Sequence, residues 1–435
     1  MPRYTFKKIN VVEEDFGEIF AETCDSESIR PGSSFCSAYG EGDSLRKPNG
    51  EQITIKSFTM TNSNRMEVKL ITWGATIVSV KCPDKYGDVA DVVLGFDDLK
   101  GYLDPTLNQF VGCVLGRCAN RIRDGTFKLK GSDYVLTKNE SKRHHLHGGT
   151  NGFGRRIWES HVDESCCVVM SYLSQDGEEG YPGAVLATLK FKLTNDNRLE
   201  ISCRASTSKP TVVNLSHGSL FNLAGHCAGE AELRKHQILL NCDRWTVADS
   251  NDDPPIPIGT IRGVGGTIMD LRVPKLLGDV IDAVPGSKGF EHNFCVLARR
   301  SQPEVLFVAR VFHEPSGRFL EVYSDQPGVQ LYTAGRLPPY ENTYITDTES
   351  SELSSYECGE ECDCESEKPL EFIPGKCGAQ YTKFAALSIQ PQNYPDAVNV
   401  PHFPCAVLRP GQVYYHDLVY KLGVQLDSPE CKIHC

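Results

Sequence analysis

An all-β fold, a large antiparallel β-sandwich, is the class this sequence predicts. Three observations predict it: apolar residues recur with a period of two, turn-forming clusters separate those segments, and few windows hold a helical period. Met66, Val68 and Leu70 alternate with Arg65, Glu67 and Lys69, as in a half-buried strand. The same alternation returns at Leu189, Phe191 and Leu193, at Leu199, Ile201 and Cys203, and at Leu320 and Val322. Asp176-Gly177, Asn195-Asp196-Asn197 and Pro315-Ser316-Gly317 supply the turns between them.

Taken in order, the first twenty residues read as an opening strand or short helix. Residues 22–52 are rich in Ser, Gly, Asp and Glu without periodicity and read as a loop or disordered insert. Strand-like sequence begins at Ile53. Residues 251–257, Asn-Asp-Asp-Pro-Pro-Ile-Pro, cannot be regular. Residues 349–378 form an acidic, cysteine-bearing excursion with strand-like sequence on both sides. The expected organisation is therefore a single domain spanning residues 1–435 and carrying these two inserts.

The net charge of −12 is local. Between Asp347 and Lys368 nine acidic residues face one lysine, which accounts for −8 of it. The rest of the chain has no strong field, which argues against a nucleic-acid partner. No apolar run reaches the ~20 residues of a membrane helix, and the N-terminal residues lack a secretory pattern, so a cytoplasmic protein is expected. Eighteen cysteines are many for that compartment. Cys82, Cys113, Cys118, Cys203, Cys242 and Cys295 fall on strand-like sequence, where a free thiol behaves as a small buried hydrophobe. Cys358, Cys362, Cys364 and Cys377, with the CKIHC tail, lack the paired C-x-x-C spacing of a zinc knuckle, so no metal site is expected.

Chemistry concentrates between Gly116 and Trp158. Arg117, Asn120, Arg121 and Arg123 precede an alternating strand (Thr126, Lys128 and Lys130 against Phe127 and Leu129), and the stretch closes on His147-Gly148-Gly149. A guanidinium fork at Arg121, an amide at Asn120 and an imidazole at His147, bracketing a hairpin, suit a polar, uncharged ligand rich in hydroxyls.

Eleven words in fixed order carry a family resemblance: ITWGATI, DVVLGF, GRCANRIRDGTFKLKG, HLHGG with NGFGRRIW, SQDGEEGYPG, VVNLSHGSLFNLAG, MDLR, GFEHNFC, QPGVQLYT, QNYPDAVNVPHFP and VLRPGQVYYHDLVYKL. From Trp73 to Leu422, inserts aside, the chain resembles the aldose 1-epimerases, or galactose mutarotases. The resemblance implies the galactose mutarotase-like supersandwich, with an aldohexose (galactose or glucose) bound in a cleft on one sheet. It also implies no cofactor, no metal and no membrane or nucleic-acid partner; a monomer or weak dimer is expected. The reaction such a family performs opens the sugar ring. One group removes the proton of the anomeric hydroxyl while another protonates the ring oxygen, and closure after rotation gives the other anomer. An anionic carboxylate suits the first role and a protonated His the second.

Carried over residue by residue, the resemblance places sugar-holding roles on Asn120, Arg121, His147, Asp270 and Gln330. The two positions for proton transfer are substituted. Where the family has Asn-Leu-Thr-Asn-His, this chain reads Asn214-Leu215-Ser216-His217-Gly218, so Gly218 takes the acid's place. His217 stands one residue earlier, and on a strand one residue reverses the face. A local bulge at Gly218 is the device that could re-aim His217. Gln390 occupies the place of the family's base glutamate. An amide hydrogen-bonds a hydroxyl but cannot take its proton, and loss of a general base forfeits ~10²–10⁴ in rate. A smaller departure is Ala334-Gly335, where Gly-Asn is usual. Three functions stay open: an active aldose 1-epimerase that relies on His147 or His217, a sugar-binding pseudoenzyme, and an interaction protein that acts through its N-terminal insert and acidic cysteine loop.

Overall fold

The protein is described from a computed structural model covering residues 9–20, 52–248, 254–286, 288–297, 305–339 and 370–426. Residues 22–51, most of the acidic stretch, Cys358, Cys362, Cys364 and the CKIHC tail lie outside the described residues.

Period-two alternation becomes three antiparallel sheets of five or more strands, beside several two-stranded ones, among the described residues. One has five strands in the order Asn10–Phe20, Gln52–Thr61, Glu67–Ile71, Thr76–Pro83 and Val89–Asp91. The largest has nine and includes Val185–Leu193, Arg198–Thr207, Tyr414–Val424 and Arg318–Ser324 as consecutive neighbours. Leu189, Phe191, Ile201, Leu320 and Val322 on its inner face are fully buried or nearly so, and they join Val68 and Leu70 of the first sheet in one continuous core. This is the expected sandwich interior, in which each strand contributes every second side chain.

The third sheet bears on function. Its five strands run Pro257–Gly263, Cys242–Ala248, Glu291–Val296, Gly328–Tyr332 and Ser388–Gln392. Phe294, Val329, Leu331 and Ile389 fill the core side. The alternate residues on the central strands are polar: Glu291 and Asn293, Gln330, then Ser388, Gln390 and Gln392. In register, Asn293 stands opposite Gln330, and Gln330 opposite Gln390. Neutral amides therefore cross three strands in one row.

Two sequence boundaries shift. Gln52 opens a strand rather than closing a loop. The end of the acidic excursion belongs to the packed fold: Ile373–Pro374 pairs with Gln380–Tyr381, and buried Lys376 donates through Nζ to Val78 O (2.7 Å) and Asp91 Oδ2 (2.6 Å). Burying that ammonium is tolerable only because both partners are supplied. Cys82, Cys113, Cys118 and Cys203 are buried free thiols, each pushed up to about 12 by burial, so they are inert.

Candidate functional site

The cleft lies against the third sheet and is open to solvent. Asn120, Glu291, His292, Asn293, Gln330 and Pro395 are among its walls. Two short segments bring the first group of candidates to it. Arg121–Ile122 pairs with His145–Leu146, setting Asn120 beside His147. Both residues have left-handed backbone, φ 63° and 50°. They lock each other: His147 N–H donates to Asn120 O (3.0 Å), and Asn120 N–H donates to His147 Nδ1 (3.1 Å). Gly148 is required in this turn because a Cβ there would lie 1.8 Å from Gly116 O.

The second hydrogen bond decides what His147 can do. Its Nδ1 is an acceptor, so the neutral ring carries its proton on Nε2. Burial, aided by the field of Arg121, holds its pKa down at about 3. His147 is thus a neutral donor near pH 7 rather than an imidazolium.

Arg121 is the electrostatic centre. Its Nε and Nη2 grip Glu140 at 2.7 Å each, and Nη2 also reaches Glu291 Oε1 at 2.7 Å. The other Glu291 oxygen accepts from Arg336 Nε at 2.6 Å. Burial raises the pKa of Glu291, but the two guanidinium groups outweigh it and hold the carboxyl below its usual range. The same carboxylates push Arg121 up against the opposing effect of burial. Two cations and two anions leave the cleft wall neutral, as an uncharged ligand requires.

Glu291 is among the walls of the cleft, and Asp270 is not. Asp270 follows a turn, with its carboxylate held by Arg272 Nε (2.8 Å) and Nη2 (2.7 Å). That hydrogen bonding brings it down to about 2. The cleft carboxylate is Glu291, which the sequence reading missed. Its available signal was an acidic residue opening the strand segment Glu-His-Asn-Phe-Cys, where an apolar residue would otherwise be expected.

His217 also stays away from the cleft. Ser216 and His217 pair regularly with Leu115 and Val114, with no bulge between them. Ser216 Oγ donates to Pro391 O (2.8 Å), while the His217 ring packs edge-on against core residue Phe191 at 6.3 Å. Burial lowers its pKa to about 4. The one-residue shift reverses the face, as strand geometry dictates. Gly218 donates through N–H to Cys113 O (2.8 Å), and a Cβ on it would come within 2.6 Å of Phe110 O. The Phe110 ring in turn lies 4.9 Å from that of His147.

Gln390 is buried beside Gln330 in the third sheet, with Nε2 donating to Ser388 Oγ (3.1 Å). Of the sequence candidates, Asn120 and Gln330 line the cleft, Arg121 and His147 are tied to it through Glu291 and Asn120, and Gln390 stands opposite Gln330 in the sheet; Asp270 and His217 are not among its walls. Among the described residues, no three His, Cys, Asp or Glu side chains converge as metal ligands would.

An uncharged amide row flanked by a neutralised Arg–Glu network, on an antiparallel sheet, defines a β-sandwich protein of the sugar-handling class. A family model described as aldose 1-epimerase matches residues 56–421, and the chain belongs to that family. It is 38% identical to a galactose mutarotase of Bos taurus over 371 residues, covering 85% of this chain and 95% of that one. It is 37% identical to a Homo sapiens galactose mutarotase with the same coverage. An aldose 1-epimerase of Escherichia coli is 28% identical over 372 residues, 84% of this chain and 94% of that one. Among solved structures, an aldose epimerase homologue from C. elegans superposes with a TM-score of 0.67 at 26% identity, covering 84% of this chain and 97% of that one. A galactose 1-epimerase from Lactobacillus acidophilus gives 0.64 at 21% identity over 88% and 98%, a likeness of fold alone. The fold expected from the sequence is the one these structures share. No helix among the described residues is long and apolar enough to cross a membrane.

Proposed function

We propose that the cleft binds an aldohexose, galactose or glucose, and that the chain interconverts its α and β anomers by ring opening. One observation carries this reading: Asn293 Oδ1 and Gln330 Oε1 are buried carbonyl oxygens without a partner, on residues that line the cleft. Such atoms cost about 1–3 kcal/mol each unless a donor arrives, and hydroxyl groups are the donors a hexose brings. Galactose mutarotase is the name of the relatives described above, which favours the same substrate class.

In this reading Arg121, with Nε and Nη2 committed to Glu140 and Glu291, offers Nη1 to a sugar oxygen. Glu291 accepts from a hydroxyl. His147 donates its Nε2 proton toward the ring oxygen and polarises it without being an imidazolium. Gln390 accepts from or donates to the anomeric hydroxyl but cannot remove its proton. Glu291, held as a stable anion by two arginines, is a weak base. Conversion should therefore run ~10²–10⁴ below what a carboxylate at position 390 would support.

A second reading, a sugar-binding protein without turnover, is favoured by the same Gln390 and by Gly218, whose missing side chain leaves no acid there. Polarimetry on freshly dissolved α-galactose separates the two. Acceleration over buffer at micromolar protein supports the epimerase, and calorimetric binding with no acceleration supports the second reading. We place the chain in the cytoplasm as a monomer or weak dimer and as a single domain, from its composition and the absence of a strong surface field.

A further inference from the structure

Asn293 and Thr246 lie side by side in the wall of the cleft. Both are almost fully buried, at 2% and 1% exposure. Thr246 Oγ1 donates its single proton to the Asn293 backbone carbonyl at 3.4 Å. Its lone pairs are then left to accept, and Asn293 Nδ2 donates to the same Oγ1 at 3.3 Å. The amide is thereby fixed with nitrogen toward Thr246 and oxygen away from it, and Oδ1 has no protein partner. That oxygen packs against Gly328 on the next strand, where a Cβ would come within 2.6 Å of it and 2.9 Å of Tyr394 Cδ1, so only a glycine fits beneath the amide. Gln392, opposite Gly328, is fully buried with both amide atoms unpartnered. Of these residues Asn293 and Thr246 line the cleft, which makes Oδ1 the unpartnered acceptor among them nearest to a ligand there.

We infer that Asn293 is a specificity-determining residue that accepts a hydrogen bond from one sugar hydroxyl in the cleft, and that Thr246 positions it as an acceptor only. This rests on the hexose reading of the cleft and goes beyond it by naming which protein atom reads a hydroxyl and why it cannot read a bare oxygen or fluorine. Glu291 and Asn293 are two residues apart on one strand, roughly 7 Å, so they address hydroxyls on opposite sides of a pyranose ring. A ligand with hydrogen or fluorine at the carbon that Asn293 reads leaves a buried acceptor unpaired. Replacing Thr246 by Val removes the lock, and the amide can then turn its Nδ2 toward the ligand.

The test is calorimetric binding of galactose and its single-position deoxy and deoxyfluoro analogues to the wild type, Thr246→Val and Thr246→Ser. The expected result is at least one carbon where deoxygenation or fluorination weakens wild-type binding by about 10-fold or more. Thr246→Ser keeps the hydroxyl and should keep that ratio. Thr246→Val should bind galactose more weakly, and the fluoro penalty at that same carbon should shrink to roughly threefold or less. The same penalties in Thr246→Val as in wild type, or no wild-type analogue weakened 10-fold, would overturn the inference while leaving hexose binding intact. Absence of wild-type binding to every sugar would remove the hexose reading and this inference together.

Discussion

Replacing Glu291 by Gln tests the electrostatic centre of the cleft. The Arg121 and Glu291 side chains are only 5% and 9% exposed, so the charge removed is poorly screened. The variant leaves Arg336 facing an amide and Arg121 with Glu140 alone. Deleting one partner of a buried pair costs about 3–5 kcal/mol, and because Gln still accepts one hydrogen bond and Glu140 remains, about 2–4 kcal/mol is the expected loss. Urea unfolding of variant and parent at pH 7 reads it. Calorimetry with galactose should show binding weakened about 10- to 100-fold, because an anionic acceptor becomes a neutral one. Since Glu291 has a depressed pKa, its contribution is present above the ordinary carboxylate value and fades as pH falls through the folded one. The gap between variant and parent should therefore close in acid. A variant within about 0.5 kcal/mol of the parent at pH 7, with unchanged galactose affinity, would refute the claim that this network builds the site.

Other outcomes follow from the same geometry. Asp270→Asn should leave sugar binding unchanged and cost no more than a surface ion pair, about 0–1 kcal/mol, because its partner is Arg272 and neither is among the cleft walls; weakened galactose binding would contradict this. Buried His145, His217 and His236 have pKa values lowered to about 4, 4 and 3. The unfolded chain therefore binds protons below pH ~6.5 that the fold refuses, and each contributes up to about 1.4 kcal/mol of lost stability per pH unit from there down to its folded value. Unfolding free energy should fall clearly between pH 7.5 and pH 5, and a flat profile would count against neutral burial. Gly218→His should destabilise the fold rather than simply supply an acid, because its Cβ would press on Phe110 O; a variant as stable as the parent would show that this loop gives way.

The sandwich was legible because half-buried strands write their faces into the sequence with period two, as at Leu189, Phe191 and Leu193. Asn120, Arg121 and His147 were legible as a group because a glycine turn and a fork-shaped donor mark a built site. The ion pair of Asp270 with Arg272 was not legible, because an acidic residue before Leu-Arg looks the same whether it faces a ligand or pairs with an arginine two residues on. Glu291 was hidden because its role depends on Arg121 and Arg336, which are distant in sequence and meet only across the cleft. The position of His217 was partly legible. The one-residue offset foretold the wrong face, but only the register with Val114 and the Phe191 contact excluded a bulge. Amide orientation at Asn293 left no trace in the sequence, since it depends on one hydroxyl on a neighbouring strand.

The most direct measurement is the polarimetric rate on fresh α-galactose for the wild type and for Gln390→Glu, at equal concentration and with galactose affinity measured alongside. If proton removal at the anomeric hydroxyl limits this cleft, the carboxylate should raise the protein-dependent rate by at least about 10-fold, toward ~10²–10⁴, with affinity little changed. A wild-type rate already as fast as that of the variant, with galactose bound equally well by both, would contradict it.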